Sequence, residues 1–360
     1  MQKNRNNNIG ILHLIAALFV MYGHHCALLG QATPTYLGTQ IQAIGVKTIF
    51  LISGYLITKS LWSIHSESRV KTVAIYGVKR LGRLYPEYIA VIMFCVIVVG
   101  PLFTQLSWQD YWASMEGIQF FVDANLRLFP VYSLPGVFTS NIYPNAVNGS
   151  FWTMPVEVTL YILILVIFLV SKNEKIKKII YAAVTILIIV AFAIRFWRFP
   201  HEYYVWYGTD WLSALNLMPY FLIGGLAYLF EWKKYTNLLL ASVLMFIFAG
   251  SLAVAATYIS EMLCLVVLSY FVLSLMFSPE QKLTLKGIRG EYAYGMYLYG
   301  FVVQQCVSQL FFLNRGVDFW NFHISFVACV LVTYILAALS FTCIYRPASK
   351  INKWLLSKMG

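Results

Sequence analysis

Residues 151–170 read FWTMPVEVTLYILILVIFLV, a run in which the only charged side chain is Glu157. At 1.5 Å per residue, a helix of that length covers about 30 Å, the thickness of a bilayer's hydrocarbon core. The rest of the sequence shares this bias. Across 360 residues the chain is 60% hydrophobic and 17% aromatic, but only 11% charged. A soluble domain carries about 25% charged residues. Water cannot solvate so much apolar surface, whereas lipid can stand in its place.

Nine further apolar runs lie on either side of this one, at about 9–28, 43–62, 84–104, 179–197, 211–230, 236–254, 259–277, 291–313 and 322–344. The expected fold is an all-α polytopic membrane protein, a bundle of about ten transmembrane helices making one integral-membrane domain over 1–360. The only long connection is 105–150, rich in Pro, Asn, Gly and aromatic residues, and it reads as an ordered extracytoplasmic loop. No soluble second domain, low-complexity tract or internal repeat is visible.

The net charge of +12 first suggests nucleic acid, but its placement excludes that reading. With the N-terminus inside, only Lys47, Arg127, Arg195, Arg198 and Arg315 of the 26 Lys and Arg residues fall outside. This is a strong positive-inside bias. Both termini are therefore expected in the cytoplasm, with the chain in the inner, cytoplasmic membrane and lipid as its first partner. The six cysteines lie in or beside apolar runs with no CxxC and no metal-ligand spacing, so neither a disulfide framework nor a metal site is expected. The first run lacks a cleavage site and reads as a retained helix.

Ionisable groups inside a span are costly, and each is a candidate for function. His13 and His24 are eleven residues apart in the first run, which puts them on one helix face about 16 Å apart. Histidine is the side chain best suited to move a proton near neutral pH. An interfacial role is an equal alternative for His24 and the better one for His25. In Ile49–Ile57 (IFLISGYLI), the small Ser53-Gly54 pair suits close helix packing. Arg80 and Arg83, in KRLGRLYP, are three residues apart and can converge as a fork for phosphate; taken alone, topology anchoring is the better reading of them. In Asn148–Glu157 (NGSFWTMPVE), Glu157 lies in the first turns of an apolar helix at about the depth of His24. There it either works on a proton or bonds a neighbouring helix.

Taken in order, these segments resemble the membrane acyltransferase-3 family, whose members O-acylate extracytoplasmic carbohydrates. His24 falls on the family's first-helix histidine. Ile49–Ile57 is similar to its aromatic-x-Ile-Ser-Gly segment, Arg80–Pro86 to its Arg-x-x-Arg-aromatic-Pro element, and Asn148–Glu157 to its Ser-x-Trp-Thr-x-x-x-Glu segment. Tyr220–Gly225 and Tyr294–Tyr299 also fit. Three positions depart. His13 stands where the family usually has arginine, Leu84 is an extra residue before Tyr85, and Gly300 follows the Tyr-Leu-Tyr segment where His is common.

The resemblance implies acetyl-CoA as cytoplasmic acyl donor and a hydroxyl of a surface glycan, such as lipopolysaccharide O-antigen or exopolysaccharide, as acceptor. His24 is then the general base and Glu157 its orienting carboxylate. Arg80, Arg83 and His13 bind the donor phosphates, while Trp152, Ser150 and Tyr55 contact the acceptor. The competing class is a proton-coupled transporter or flippase, which would use the same His and Glu as a relay. It would be expected to show a repeat and paired broken helices, and neither is visible.

Overall fold

The computed structural model describes residues 7–36, 38–66, 68–126, 129–199, 202–251, 257–278 and 290–359. Among these, helices dominate, and the only strands form two short hairpins. Helix α1 (Asn7–Leu28) leads through hairpin β1–β2 (Thr35–Tyr36, Thr39–Gln40) into α2 (Ile41–Trp62). Then come α3 (Arg69–Phe94), a π-helical turn at Cys95–Val99, and the short helices α4 (Gly100–Phe103), α5 (Trp108–Ala113) and α6 (Met115–Leu126). After an irregular stretch, α7 (Thr153–Val170) and α8 (Glu174–Arg198) lead to hairpin β3–β4 (Val205–Trp206, Thr209–Asp210). Helices α9 (Trp211–Ala214), α10 (Met218–Leu229), α11 (Leu238–Ser251), α12 (Thr257–Phe277) and α13 (Ala293–Phe312) come next. The chain ends in α14 (Phe319–Ser340), a second π turn at Phe341–Tyr345, and α15 (Arg346–Met359).

The chain is an all-α polytopic membrane protein. Among the described residues, eight helical stretches are long and apolar enough to cross a bilayer. Of the ten runs read from sequence, α11 is shorter in its described part, and the end of that run at 252–254 lies outside the described residues. Helix α13 is long enough but less apolar, because it carries Gly295, Gly300, Gln304, Gln305 and several tyrosines. Nearly all of these face protein, and a helix wrapped by its neighbours needs no lipid-compatible surface. Helix α8 is the converse, with Ile179, Ile186, Leu187, Val190 and Ile194 exposed along one side. Of the basic residues that set the charge bias, Lys3, Arg5, Arg127, Lys282, Lys286 and Arg289 lie outside the described residues.

The third span starts fifteen residues before the expected position 84. Ser68 caps it by accepting the Lys71 amide at 3.3 Å, and nothing from 69 to 83 breaks a helix. The apolar run begins only after the basic residues, so hydropathy alone hides the helix's first turns. The helical stretch Arg69–Phe103 holds 35 residues, about 52 Å, so it outruns the hydrocarbon core and its basic first half can sit beyond it. Arg80 and Arg83 are therefore well inside the helix and not at its entry. The 105–150 connection is not wholly irregular either, since it carries α5 and α6. Tyr111 on α5 donates to the Val96 carbonyl at 2.8 Å, within the first π turn.

The core sits where α2 meets α1 and α10. A Cβ on Gly45 would strike the Ala16 carbonyl of α1, and one on Gly54 would strike the Phe221 carbonyl of α10. Gly224 lies just as tightly against the Leu51 carbonyl. The Ser-Gly segment of α2 is thus a packing surface, as small residues in membrane helices usually are. Nearer the start of α2, Lys47 donates to Glu261 of α12 at 2.6 Å and to Thr39 of the first hairpin at 3.3 Å, with both charged side chains nearly inaccessible. This buried pair is invisible to a charge count that only assigns Lys47 to the outer side.

Gly54→Val should destabilise the protein by about 1–3 kcal/mol through overpacking, read as a lower thermal unfolding midpoint in detergent. Gly77→Ala, inside α3 where nothing lies within 4 Å of an added Cβ, should not lower the midpoint and should raise it slightly, since alanine is the better helix former. Equal midpoints for both variants would show that the α2–α10 crossing is not close.

Candidate functional site

His24 stands in the wall of a cavity of about 720 Å³, a size typical of sites for small organic ligands. Its walls come from the last turns of α1, from 132–149, from Trp152 at the entry of α7, from the β3–β4 hairpin and from Phe301 of α13. The His24 ring is half-buried and meets Phe301 edge-on at 5.2 Å. No hydrogen-bond partner engages it among the described residues. His25 is the opposite case. It is buried, with Nε2 3.1 Å from the Phe322 carbonyl and 3.0 Å from Ser325 Oγ, and it packs structurally as the sequence suggested.

The irregular stretch that forms much of the cavity is held by amides that sequence reasoning missed. Gln305 on α13 donates to the carbonyls of Tyr143 at 2.9 Å and Ala146 at 2.7 Å, and its Oε1 accepts from Asn141 Nδ2 at 2.8 Å. Asn148 Nδ2 donates to the Leu298 carbonyl at 2.8 Å. Gln304 Nε2 donates to the Met21 carbonyl at 2.7 Å, one turn before His24. Two adjacent glutamines in an apolar helix were the available signal, but neither is ionisable and so neither stood out. Gly300 fits the same picture. A Cβ there would come within 2.9 Å of Met21 Cγ, so a side chain at this position would have to displace the Met21 side chain.

Asp210 is the acid in the cavity wall, but its oxygens are taken. They accept the amides of Leu212 at 3.1 Å, Ser213 at 3.2 Å and Tyr204 at 2.8 Å, and the Ser213 hydroxyl. Asp210 is therefore a helix cap. Tyr132, also in the wall, donates to the Gly208 carbonyl at 2.9 Å. Burial raises its phenol above the ordinary value, so it stays a donor.

A second polar centre lies towards the His13 end of α1. The Arg83 guanidinium sits between the rings of Tyr294 and Tyr345, at 4.9 and 5.1 Å from their centroids. Its Nη1 is 3.4 Å from Glu87 Oε2; the Arg83 side chain remains 43% accessible while Glu87 is at 0%. Arg80 donates to Ser60 Oγ at 2.9 Å and lies over the rings of Tyr76 and Tyr161. Glu157 accepts from the Tyr161 hydroxyl and lies within electrostatic range of Arg83 and Arg80. His13 also feels the charge of Arg83.

The structure thus brings His13, Arg80, Arg83 and Glu157 into one charged neighbourhood and sets His24 and Trp152 in a separate cavity. No hydrogen bond joins Glu157 to His24 among the described residues. Ser150 is buried in the turn before α7, where its amide bonds Asn148 and its carbonyl accepts from Tyr297. Tyr55 packs against Tyr228 and Phe277. Neither Ser150 nor Tyr55 lines the His24 cavity. Among the described residues, no three His, Cys, Asp or Glu side chains converge as metal ligands, and all six cysteines are free.

Gln305→Leu removes three hydrogen bonds from 141–146. Amide exchange there should rise about tenfold, while the helices keep their protection. Unchanged exchange at 141–146 would show that the stretch is held by other contacts.

Comparison with known proteins adds three findings. Residues 6–341 match a family model described as an acyltransferase domain. The chain is 27% identical to an O-acetyl transferase of Shigella phage Sf6, over 84% of this chain and 86% of that protein. It is 26% identical to nodulation protein 10 of Rhizobium leguminosarum bv. viciae, over 98% of this chain and 95% of that protein. No solved structure matches.

Proposed function

The chain belongs to the acyltransferase-3 family and is a membrane O-acyltransferase, and from this premise we propose that it moves an acetyl group from cytoplasmic acetyl-CoA to a hydroxyl of an extracytoplasmic cell-surface glycan. The observation that carries the proposal is His24, an imidazole with no hydrogen-bond partner among the described residues, in the wall of a ligand-sized cavity. The acetyl group is supported by the name of the phage relative, an O-acetyl transferase. The inner membrane, cytoplasmic termini and an extracytoplasmic cavity are supported by the positive-inside bias, and lipopolysaccharide O-antigen or exopolysaccharide is the acceptor class we favour.

On this reading α1 is the axis of the reaction. His13, Arg80 and Arg83 serve the donor end, where an accessible arginine held between two aromatic rings is suited to phosphate. His13 adds positive charge there only when protonated. About 16 Å along the same helix, His24 meets the acceptor, with Trp152 in the same wall to stack on a sugar ring. His24 takes the proton from the acceptor hydroxyl as its oxygen attacks the thioester carbonyl. The C–S bond then breaks, the thiolate takes up the proton, and the products are an O-acetyl ester and free CoA thiol. General base catalysis of this kind contributes about 10²–10⁴-fold. Glu157, among the arginines, is placed to balance their charge and to hold Tyr161. Membership of an acyltransferase family favours acyl transfer over transport for this chain.

The test is CoA-thiol release and ester-linked acetate on cell-envelope glycan, comparing the purified protein with His24→Ala at equal expression. A loss of about 10²-fold or more is expected; full activity in His24→Ala would remove its role as base. For the donor side, Arg83→Ala should raise KM for acetyl-CoA about tenfold or more, as expected for loss of a charged hydrogen bond. An unchanged KM would place the donor elsewhere.

A further inference from the structure

The β3–β4 hairpin presents aromatic rings for which acetyl transfer at His24 has no use. Its residues from 203 to 211 read YYVWYGTDW. Val205, Gly208 and Asp210 form part of the cavity wall shared with His24. Beyond that wall, Tyr203, Tyr204 and Trp206 stand 77%, 60% and 60% exposed.

Two observations set these rings apart from the aromatic belt that many membrane proteins carry at the lipid interface. The first is how firmly the hairpin is tied to the cavity. Gly208 accepts from Tyr132, and Thr209 Oγ1 donates to the Trp152 carbonyl at 3.3 Å. The Tyr204 amide bonds Asp210, Arg195 donates to the Glu202 carbonyl at 2.8 Å, and Trp211 Nε1 donates to the Trp206 carbonyl at 3.0 Å. The second is the turn itself. Tyr207 and Gly208 both have positive φ, +53° and +66°, as a two-residue primed hairpin turn requires. Asn or Gly serve there without strain, whereas a tyrosine is costly. The ring gained at that cost packs against Phe129 and Trp206, and Trp206 packs in turn against Trp211.

A belt residue needs only the right depth, not a backbone tied by hydrogen bonds to the wall of a reaction cavity. The charge also points away from lipid headgroups and from the donor. The segment 203–211 has no Lys or Arg, and its one acid is spent as a helix cap. Flat, uncharged, rigid aromatic faces beside a hydroxyl-accepting site match the apolar faces of sugar rings.

We propose that the hairpin is an acceptor subsite, with Tyr204 and Trp206 stacking on sugar units next to the one that meets His24, so that the enzyme prefers an oligosaccharide chain to a free monosaccharide. This rests on the acyltransferase reading above. It adds specificity for chain length, which that reading does not contain.

The probe is envelope polysaccharide of the host strain, hydrolysed and fractionated into monosaccharides and graded oligomers, presented to the full protein in lipid nanodiscs. The readout is the ratio of kcat/KM for acetate transfer to long and to short fragments. Wild type should favour the long fragments, and Trp206→Ala with Tyr204→Ala should lower that ratio about tenfold. Trp206→Phe should restore part of it, which a merely misfolded hairpin would not. A ratio that survives the double substitution, or a wild type with no preference, overturns the subsite. So does an effect of the substitutions that tracks bilayer thickness and not fragment length. Should wild type acetylate no fragment, the acyltransferase assignment of the acceptor fails separately. Calorimetric titration with the same fragments then decides the subsite: affinity that rises with length and loses that rise in the double variant supports it, and flat affinity ends it.

Discussion

Where α2 passes α10, and again where it passes α1, no side chain stands between the backbones. Gly54 and Gly224 face carbonyls of the opposite helix, and Gly45 faces Ala16. In hydrocarbon, two helices gain little by hiding apolar surface from each other, so close van der Waals approach must supply what water supplies in a soluble core. Helix α2 is thereby fixed against two neighbours at once, and much else is referenced to it. Its Lys47 reaches Glu261, and its Ser60 receives Arg80. Its contact with α1 sets the helix on which His13 and His24 stand. A second close approach, Gly300 on Met21, locks α13 to α1 and aligns the amides that shape the cavity around His24.

The polar groups buried by this packing divide into two kinds. Lys47 and Glu261 are mutually satisfied and almost closed off. Pairs of this sort hold elements in place but are expensive to break, since either charge alone would be stranded. Arg83 and His24 differ, because each keeps accessible surface within a densely packed surround. Arg83 has 43% of its side chain open while its partner Glu87 has none. Arg83 lies in the half of α3 that can extend beyond the hydrocarbon core, and His24 lies in a cavity wall, so each can meet a molecule other than lipid. One helix carries a member of each polar centre, so the geometry between them is set by the stiffness of α1 and not by loop conformations.

Much of this was legible in the residues. The apolar runs predicted the membrane bundle, because 1.5 Å per residue and a ~30 Å core leave few other readings. The order of short segments around His24, Arg80, Ser53-Gly54 and Glu157 pointed to the family. The start of α3 was lost because a helix that outruns the bilayer stops being apolar while it is still helical. The Lys47–Glu261 pair was lost because partners 214 residues apart leave no local pattern. Gln304, Gln305 and the β3–β4 hairpin were lost for a different reason: uncharged amides and surface aromatics are common enough to carry no signal until their partners are known. Glu157 was legible as an acid in the first turns of an apolar helix, but its neighbours, Tyr161 and two arginines, come from the way the helices cross.

The π turns at Cys95–Val99 and Phe341–Tyr345 interrupt two of the longest helices. Each closes a ring with one residue more than an α turn uses, and so rotates the remainder of the helix by about 100° relative to an uninterrupted one. Tyr345, which flanks Arg83, ends the second of these turns, so its direction depends on the register change there. The extra Leu84 in the Arg-x-x-Arg-aromatic-Pro element is upstream of the first. A wide turn of this kind lets a transmembrane helix take up a one-residue difference in length within itself, keeping both ends in phase with their partners. Related chains can then differ by single residues inside a span, where gaps are normally forbidden, and still present the same faces at either end.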